Sequence, residues 1–250
     1  MSMENTNTPV FAAQALRINQ LSLAEAAVTY ASAGISVFPL VPNQKIPFAG
    51  FTWREKATTD FATVKEWWEL SPRANIALIT GGDFTVVDVD LKNEAPGMAT
   101  YEHLAEAGLM NNAYALATTP SGGFHLIVNG GDIGCPKALS QFGVDVKGQG
   151  GYVVGAPSKT DSGVYKWEEV DSSRYSVTPW DHEAAKSLIV PAKPKPENTQ
   201  TAVKGAWGGL VKKVRTAKEG TRNDVLYWAA CVVLEEGGEP SFLVEHAEVA

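Results

Sequence analysis

The stretch FTVVDVDLK, residues 84–92, reads as a β-strand that carries two acids. Residues two positions apart on a strand point the same way, so Asp88 and Asp90 share one face and the valines form the other. The valine face can pack against a core, but an unpaired ionised carboxylate is very costly to bury, and two adjacent ones also repel each other. The pair therefore indicates either a solvated strand edge or a site for a divalent cation such as magnesium or manganese, which prefer oxygen ligands.

Two later stretches place further polar groups on apolar strands beside glycine turns. In TTPSGGFHLIV, residues 118–128, His125 follows a Gly-Gly turn, where backbone N–H groups can approach an anion closely. In GVDVKGQGGYVV, residues 143–154, Asp145 and Lys147 share one strand face. Each alone has a simple structural explanation, a core histidine or a surface ion pair. Together they indicate strands that converge on one site, and three carboxylates, a histidine and a lysine suit a nucleoside triphosphate with two metal ions about 4 Å apart.

The composition narrows the class of protein. The 250 residues carry 21 Lys and Arg against 28 Asp and Glu, a net charge of −7, which argues against a surface coated in basic charge but leaves room for a local basic groove. Cys135 and Cys231 lie far apart, so neither a cysteine zinc site nor a disulfide framework is expected. The first residues do not read as a signal peptide and no apolar run is long enough to span a bilayer, which predicts a soluble protein of the cytoplasm.

The pattern of apolar and polar residues divides the chain into four segments. Residues 1–20 are predicted to be a flexible tail, and residues 21–190 an α+β domain with a largely antiparallel or mixed sheet, because its strands alternate with few helices. Residues 191–203 are proline-rich and polar, as in a linker, and residues 204–250 turn helical. So short a helical segment would be marginal alone, which predicts the start of a helical module in a longer protein.

The motifs resemble, in their order, those of bifunctional primase–polymerase (prim-pol) domains of the archaeo-eukaryotic primase superfamily, which occur in replication proteins of plasmids, phages and prophages. The resemblance runs from about Leu23 to Val170. Its motifs are ISVFPLVPNQKIP, KEWWELSPRANIALITGG, VVDVD, SGGFH and GVDVKGQGGYVVGAPS. The resemblance implies an RRM-like palm as the catalytic core, a smaller N-terminal α/β unit beside it, and a bacterial or archaeal host cell.

The resemblance also implies roles for individual residues. The metal-binding acids would be Asp88, Asp90 and Asp145, which together with His125 would form the catalytic set. The residues that bind the incoming nucleotide would be Lys45, Ser121, Gly122, Gly123, His125 and Lys147. Lys147 stands where relatives commonly have arginine, so its phosphate contact would be less fixed geometrically. Some relatives carry a zinc-binding stem between the histidine and the third acid, but residues 129–143 contain a single cysteine, and no zinc is expected.

The implied activity is that of a DNA primase and DNA polymerase. A 3′-hydroxyl would attack the α-phosphate of an incoming (d)NTP on a single-stranded or primed DNA template, with Mg²⁺ or Mn²⁺ as cofactor and pyrophosphate leaving. Longer relatives continue into a helicase, which is the partner expected further along the chain.

Three other functions share part of the pattern. They are a manganese-dependent D-x-D glycosyltransferase, a metal-dependent nuclease and a non-catalytic nucleic-acid-binding module. The third has a signal of its own, because residues 204–222 carry six basic residues and one acid, a local charge of +5 that could follow a template backbone or form a solvated helix face.

Overall fold

The computed structural model of the chain describes residues 10–92, 95–169, 178–191, 207–217, 222–241 and 243. The chain folds into two compact units, residues 1–191 and residues 192–250. Of the predicted linker, residues 192–203 lie outside the described residues. In the described part of the chain, no helix is long and apolar enough to cross a membrane.

Helices and strands alternate along the first unit. Its helices are α1 (Val10–Ile18), α2 (Leu23–Ser32), α3 (Trp53–Lys56), α4 (Phe61–Leu70), α5 (Gly97–Glu106) and α6 (His182–Ile189), with a 3-10 helix at Ser140–Phe142. Its strands are β1 (Val37–Leu40), β2 (Asn75–Thr80), β3 (Phe84–Val89), β4 (Ala113–Thr118), β5 (Phe124–Asn129), β6 (Val144–Lys147), β7 (Gly151–Gly155), β8 (Lys159–Thr160), β9 (Gly163–Val164) and β10 (Lys166–Glu168).

The strands of the first unit form two main sheets. One has three strands in the order β1-β2-β7, the other has five strands in the order β10-β4-β5-β3-β6, and β8 pairs with β9 in a small hairpin. Every pairing between these strands is antiparallel. The predicted α+β class is therefore confirmed, and of the two predicted kinds of sheet the described strands form the antiparallel one.

Two glycine-rich crossings join the main sheets and lie side by side. The first leads from β2 into β3 through Gly81 and Gly82, whose φ angles are +101° and +68°. The second leads from β6 back to β7 through residues 148–150. Thr80 Oγ1 donates a 2.8 Å hydrogen bond to the Gly148 carbonyl, and a Cβ at Gly81 would collide with the backbone of the second crossing. Position 81 therefore requires glycine on two grounds, its positive φ and this close approach.

Helix α1 lies within residues 1–20, the segment that the sequence predicts to be a flexible tail. It spans Val10–Ile18 within that segment, and Ala15 and Ile18 are only 5% and 1% exposed. Asn19, directly after the helix, exchanges hydrogen bonds of 2.8 and 2.9 Å with the backbone of β10. Residues three positions apart share one face of a helix, so Ala15 and Ile18 form a small buried apolar face. The overall polarity of the segment gives no indication of this face in the sequence.

The five-stranded sheet is buried on both faces. One face, which includes Val86, packs into a core shared with α2, α4 and the three-stranded sheet. The opposite face, which includes Val87 and Val89, joins a second core that contains Trp180. The prediction that these valines face a core is confirmed. Because side chains alternate along a strand, Asp88 lies on the same face as Val86.

A buried hydrogen-bond network joins α2 to both main sheets. The hydroxyl of Tyr30 on α2 donates a 2.7 Å hydrogen bond to the Ala156 carbonyl, just after β7. The same hydroxyl accepts a 2.7 Å hydrogen bond from Trp167 Nε1 on β10. Burial raises the pKa of Tyr30 far above its ordinary value, so the hydroxyl stays protonated and keeps its role as donor.

The second unit is helical where it is described. It contains α7 (Gly208–Arg215) and α8 (Arg222–Glu235), and its small core consists of Val214, Ala229, Val233 and Leu243. Three basic residues of the 204–222 segment lie in the last turn of α7, namely Lys212, Lys213 and Arg215. Lys204 and Lys218 lie outside the described residues.

We predict that Tyr30→Phe lowers the free energy of unfolding of the first unit by about 2–4 kcal/mol, because it leaves the Ala156 carbonyl and Trp167 Nε1 without this partner in a buried setting. Urea unfolding followed by circular dichroism measures the change. Tyr227→Phe is the matched control, since Tyr227 is 75% exposed. Equal stability of the two variants would contradict the role of the network.

Candidate functional site

A row of polar side chains crosses the five-stranded sheet at Asp88. In the register of the ladders, Asp88 on β3 stands opposite His125 on β5 and opposite Asp145 on β6. Directly opposed residues of an antiparallel pair project from the same face, with Cβ atoms about 4.5–5.5 Å apart. The fold thus brings together three of the predicted site residues that are far apart in the sequence.

Asp90 lies one step beyond the end of β3. Its N–H donates a 2.8 Å hydrogen bond to the Gly143 carbonyl, and its side chain is exposed. One of its carboxylate oxygens, Oδ1, accepts a 2.9 Å hydrogen bond from the N–H of Lys92. The two acids of the D-x-D motif therefore differ in setting, since Asp88 is held inside the sheet and Asp90 lies at its rim.

Asp145 is held by cations and a hydroxyl. Lys147 Nζ lies 2.9 Å from Asp145 Oδ2, Lys137 Nζ lies 3.5 Å from Oδ1, and the Ser140 hydroxyl donates a short hydrogen bond to Oδ1. Burial alone would raise the pKa of Asp145, but the hydrogen bonds from Ser140 and Lys147 and the charges of both lysines hold that pKa below its ordinary value. The carboxylate is therefore ionised at neutral pH.

His125 is buried beside Asp88. Its side chain is 7% exposed, and its Nε2 lies 3.5 Å from Asp88 Oδ1. Burial lowers the pKa of His125, and the charge of Asp88 only partly offsets this, while the nearby charges of Lys45 and Lys147 lower the pKa further. The imidazole is therefore neutral at neutral pH, with one nitrogen able to donate a hydrogen bond and the other able to accept one.

Two clefts meet at Asp88, which lines both. The larger, of about 430 Å³, is here called the basic cleft, and its polar lining carries positive charge or hydrogen-bond donors, including Lys45, Arg54, His125, Lys147, Tyr152 and Tyr165. The smaller, of about 200 Å³, is called the acidic cleft and is lined by Asp88, Asp90, Ser140 and Asp145 among others. Asp90 and Asp145 thus lie on one side of Asp88, and Lys45, His125 and Lys147 lie on the other.

Some residues of the basic cleft were missed by the sequence analysis. Arg54 belongs to α3, whose four residues are too few to show a helical period. Its guanidinium lies 4.3 Å from the centroid of the Trp53 ring, which stacks on Phe38 with centroids 5.4 Å apart. Tyr152 donates a 3.1 Å hydrogen bond to the Lys45 carbonyl. Tertiary packing brings these residues to the cleft, so no local sequence motif predicts their position.

The predicted phosphate-binding turn, Ser121, Gly122 and Gly123, does not line either cleft. It connects β4 to β5, and Ser121 Oγ lies 3.2 Å from Thr119 Oγ1. Gly122 has a φ of +89°, and a Cβ at Gly123 would collide with the carbonyl of Val89. Gly123 therefore has a structural role, because it lets β5 approach the end of β3.

The donor set fits a hard divalent cation by its chemistry, since the acidic cleft carries three carboxylates and a hydroxyl. As they stand, however, no three His, Cys, Asp or Glu side chains among the described residues are grouped closely enough to form a metal centre. Both oxygens of Asp145 instead face lysines or Ser140. A cation at these acids would have to compete with Lys147.

We predict that Gly123→Ala destabilises the first unit by about 3 kcal/mol, because the new methyl group would force β5 away from β3. Gly122→Ala is the matched control. It meets no atom within 4 Å and suffers only from its positive φ, so about 1 kcal/mol is expected. Urea unfolding of both variants measures the difference, and an equal loss would contradict the close approach at Val89.

The comparisons with known proteins bear on this arrangement of acids and bases. The family model described as bifunctional DNA primase/polymerase, N-terminal, matches residues 27–183, well over half of the chain. A search of curated proteins finds no significant match. The matched range contains both clefts and every predicted site residue, from Lys45 to Lys147. The resemblance predicted from the motifs is confirmed, and the chain belongs to the bifunctional DNA primase/polymerase family.

Proposed function

We propose that the first unit transfers a nucleotide from a (d)NTP to the 3′-hydroxyl of a DNA primer, directed by the template strand and with release of pyrophosphate. The observation that carries the proposal is the row of His125, Asp88 and Asp145, which separates a basic cleft from an acidic one. Nucleotide transfer from a triphosphate needs both the basic cleft and the acidic cleft. The charged phosphates need neutralising groups, and the attack of the 3′-hydroxyl on the α-phosphate needs metal-binding acids.

The order of elements supports an RRM-like palm. β3, α5, β4, β5 and β6 follow one another along the chain, and four of these strands lie side by side in the order β4-β5-β3-β6. This is the split βαβ arrangement, with the 3-10 helix Ser140–Phe142 in the place of a second helix. In it, the D-x-D strand has a neighbour on each side, and these neighbours carry the histidine and the third acid. The three-stranded sheet with α2 and α4 supports the smaller α/β unit that the resemblance implies.

In this proposal the nucleotide lies across Asp88. Its β- and γ-phosphates would occupy the basic cleft beside Lys45, His125 and Lys147, and its α-phosphate would lie where the two clefts meet. Asp88, Asp90 and Asp145 would hold magnesium or manganese, which when bound would neutralise phosphate charge and lower the pKa of the attacking hydroxyl. His125, kept neutral by its burial, would donate a hydrogen bond to a phosphate without adding another full charge.

Each of the three alternative functions, glycosyltransferase, nuclease and nucleic-acid-binding module, would leave part of this site without a role. A D-x-D glycosyltransferase does not need a third acid opposite the D-x-D strand, whereas Asp145 stands there. A nuclease has no need of a basic cleft of about 430 Å³ beside its acids. A pure nucleic-acid-binding role would rest on the basic turn of α7 and would leave the row at Asp88 unexplained. Template contacts by α7, a helicase further along the chain and a phage, prophage or plasmid origin remain proposals, supported by the family resemblance.

We predict that Asp88→Asn and Asp90→Asn each lower primer extension by at least about a hundredfold, roughly 2.7 kcal/mol, because each removes a charged metal ligand. The assay supplies a primed DNA template, dNTPs and Mg²⁺ or Mn²⁺. Asp83→Asn is the matched control, since Asp83 is an exposed acid in the turn before the same strand. A folded wild-type protein that extends no primer with either metal, and with ribonucleotides tried as well, would contradict the proposed function.

Lys147→Met should change two affinities in opposite directions. Without the ammonium 2.9 Å from its Oδ2, Asp145 is free to bind a cation, so we expect about three- to tenfold tighter Mn²⁺ binding in the absence of nucleotide. The lost phosphate contact should weaken dNTP binding by about tenfold. Electron paramagnetic resonance of free Mn²⁺ and calorimetry with dATP measure the two effects.

Lys137→Met is the matched control for this pair of effects. Lys137 also faces Asp145, but at 3.5 Å and with a side chain that is 68% exposed, and it does not line the basic cleft. It should therefore leave dATP affinity unchanged and alter Mn²⁺ affinity less than Lys147→Met does. Weaker Mn²⁺ binding by Lys147→Met would contradict the competition between lysine and cation.

A further inference from the structure

Tyr165 is a buried residue of the basic cleft that the family motifs leave without a role. It directly precedes β10, its side chain is 1% exposed overall, and its N–H donates a 2.8 Å hydrogen bond to the Ser158 carbonyl. Its hydroxyl, in contrast, forms no hydrogen bond with any of the residues that the structure describes. A hydroxyl at the wall of a cleft that has no partner within the protein is available to a ligand.

The hydroxyl opens on the cleft rather than into the core. Tyr165 lines the basic cleft. The fully enclosed side-chain atoms without a partner, among the described residues, are Thr85 Oγ1, Asn112 Oδ1 and His182 Nδ1, and the Tyr165 hydroxyl is not one of them. The oxygen therefore keeps access to the cleft, so a molecule that enters the cleft can reach it.

The groups around Tyr165 show what kind of partner is missing. Its ring centroid lies 5.6 Å from that of His125, and Lys45 Nζ lies 5.8 Å from it. Burial, and then the negative charge of Asp88, raise the pKa of Tyr165 far above its ordinary value, so the hydroxyl is always protonated at neutral pH. Arg54 and Lys147 add further donors to the same cleft. The side of the cleft at Tyr165 thus offers many donors, and Asp88 is the one carboxylate among the described residues that line the cleft.

We propose that the Tyr165 hydroxyl donates a hydrogen bond to a phosphate oxygen of the incoming nucleotide, in one donor set with Lys45 and His125. The inference rests on the proposed function, because it requires a nucleoside triphosphate in the basic cleft. A triphosphate carries acceptor oxygens and no donors, which matches this lining. A sugar hydroxyl both donates and accepts, so it would make less use of a lining in which donors outnumber acceptors.

Tyr165→Phe tests the proposal, because it removes the hydroxyl and keeps the ring beside His125 and Lys45. Calorimetry would measure the binding of dATP, ATP and inorganic tripolyphosphate in the presence of Mg²⁺. All three should bind about ten- to hundredfold more weakly, as for the loss of a hydrogen bond to a charged acceptor. The Tm should stay equal or rise, since the variant removes no hydrogen bond within the described part of the protein. Tyr227→Phe, at a 75% exposed position in the second unit, is the matched control.

Each other outcome would overturn the proposal in a recognisable way. Unchanged affinity for all three ligands would show that the hydroxyl makes no contact, and if wild type still extends primers the proposed function would stand. A loss confined to dATP or to ATP would assign the contact to the sugar instead. A lower Tm together with the weaker binding would assign a structural role. A wild-type protein that binds none of the three ligands would overturn the proposed function as well.

Discussion

The pairing of β3 along both of its edges is the constraint on which the site depends. Because side chains alternate on a strand, a shift of one residue would turn Asp88 into the second core and bring Val87 and Val89 onto the face that carries the clefts. Burial of those valines therefore fixes which way the acid points, and the approach of Gly123 to the Val89 carbonyl fixes where β5 ends. The polar row is thus held in place by apolar packing on the opposite face of the sheet.

One of the three carboxylates of the site, that of Asp145, is neutralised by lysines of the site itself. Asp145 faces two lysines and a serine hydroxyl, and Asp88 faces a histidine that burial keeps neutral. A row of bare carboxylates at a sheet face would resist folding, whereas paired ones can be tolerated. Two of the four internal partners are lysines, whose long flexible stems can change partners without any movement of the backbone. The lysine contacts of Asp145 therefore stabilise the folded protein before a ligand binds, and a bound ligand can replace them.

Local periodicity predicted the part of the site that lies on strands. The alternation of VVDVD and GVDVK indicated which side chains share a face, and the glycine turns indicated where strands end, so the meeting of Asp88, His125 and Asp145 could be expected. The positions of Arg54 and Tyr165 in the site could not be predicted in this way. Arg54 lies on a four-residue helix and Tyr165 directly precedes a three-residue strand, and such short elements show no detectable period in the sequence. Their positions depend on aromatic packing around Phe38 and on the pairing of β10 with β4.

The two glycine crossings have a mechanical consequence. The walls of the basic cleft come from both main sheets, with Tyr152 on β7 of the three-stranded sheet and His125 on β5 of the five-stranded sheet. Where chain passes from one sheet to the other at Gly81–Gly82 and at 148–150, the two passages lie against each other and share the hydrogen bond from Thr80. The two passages therefore form one seam between the sheets beside the cleft. The shared core and the hydrogen bonds of Tyr30 also join the two sheets, so the width of the cleft is set by the packing of the whole domain rather than by any one loop.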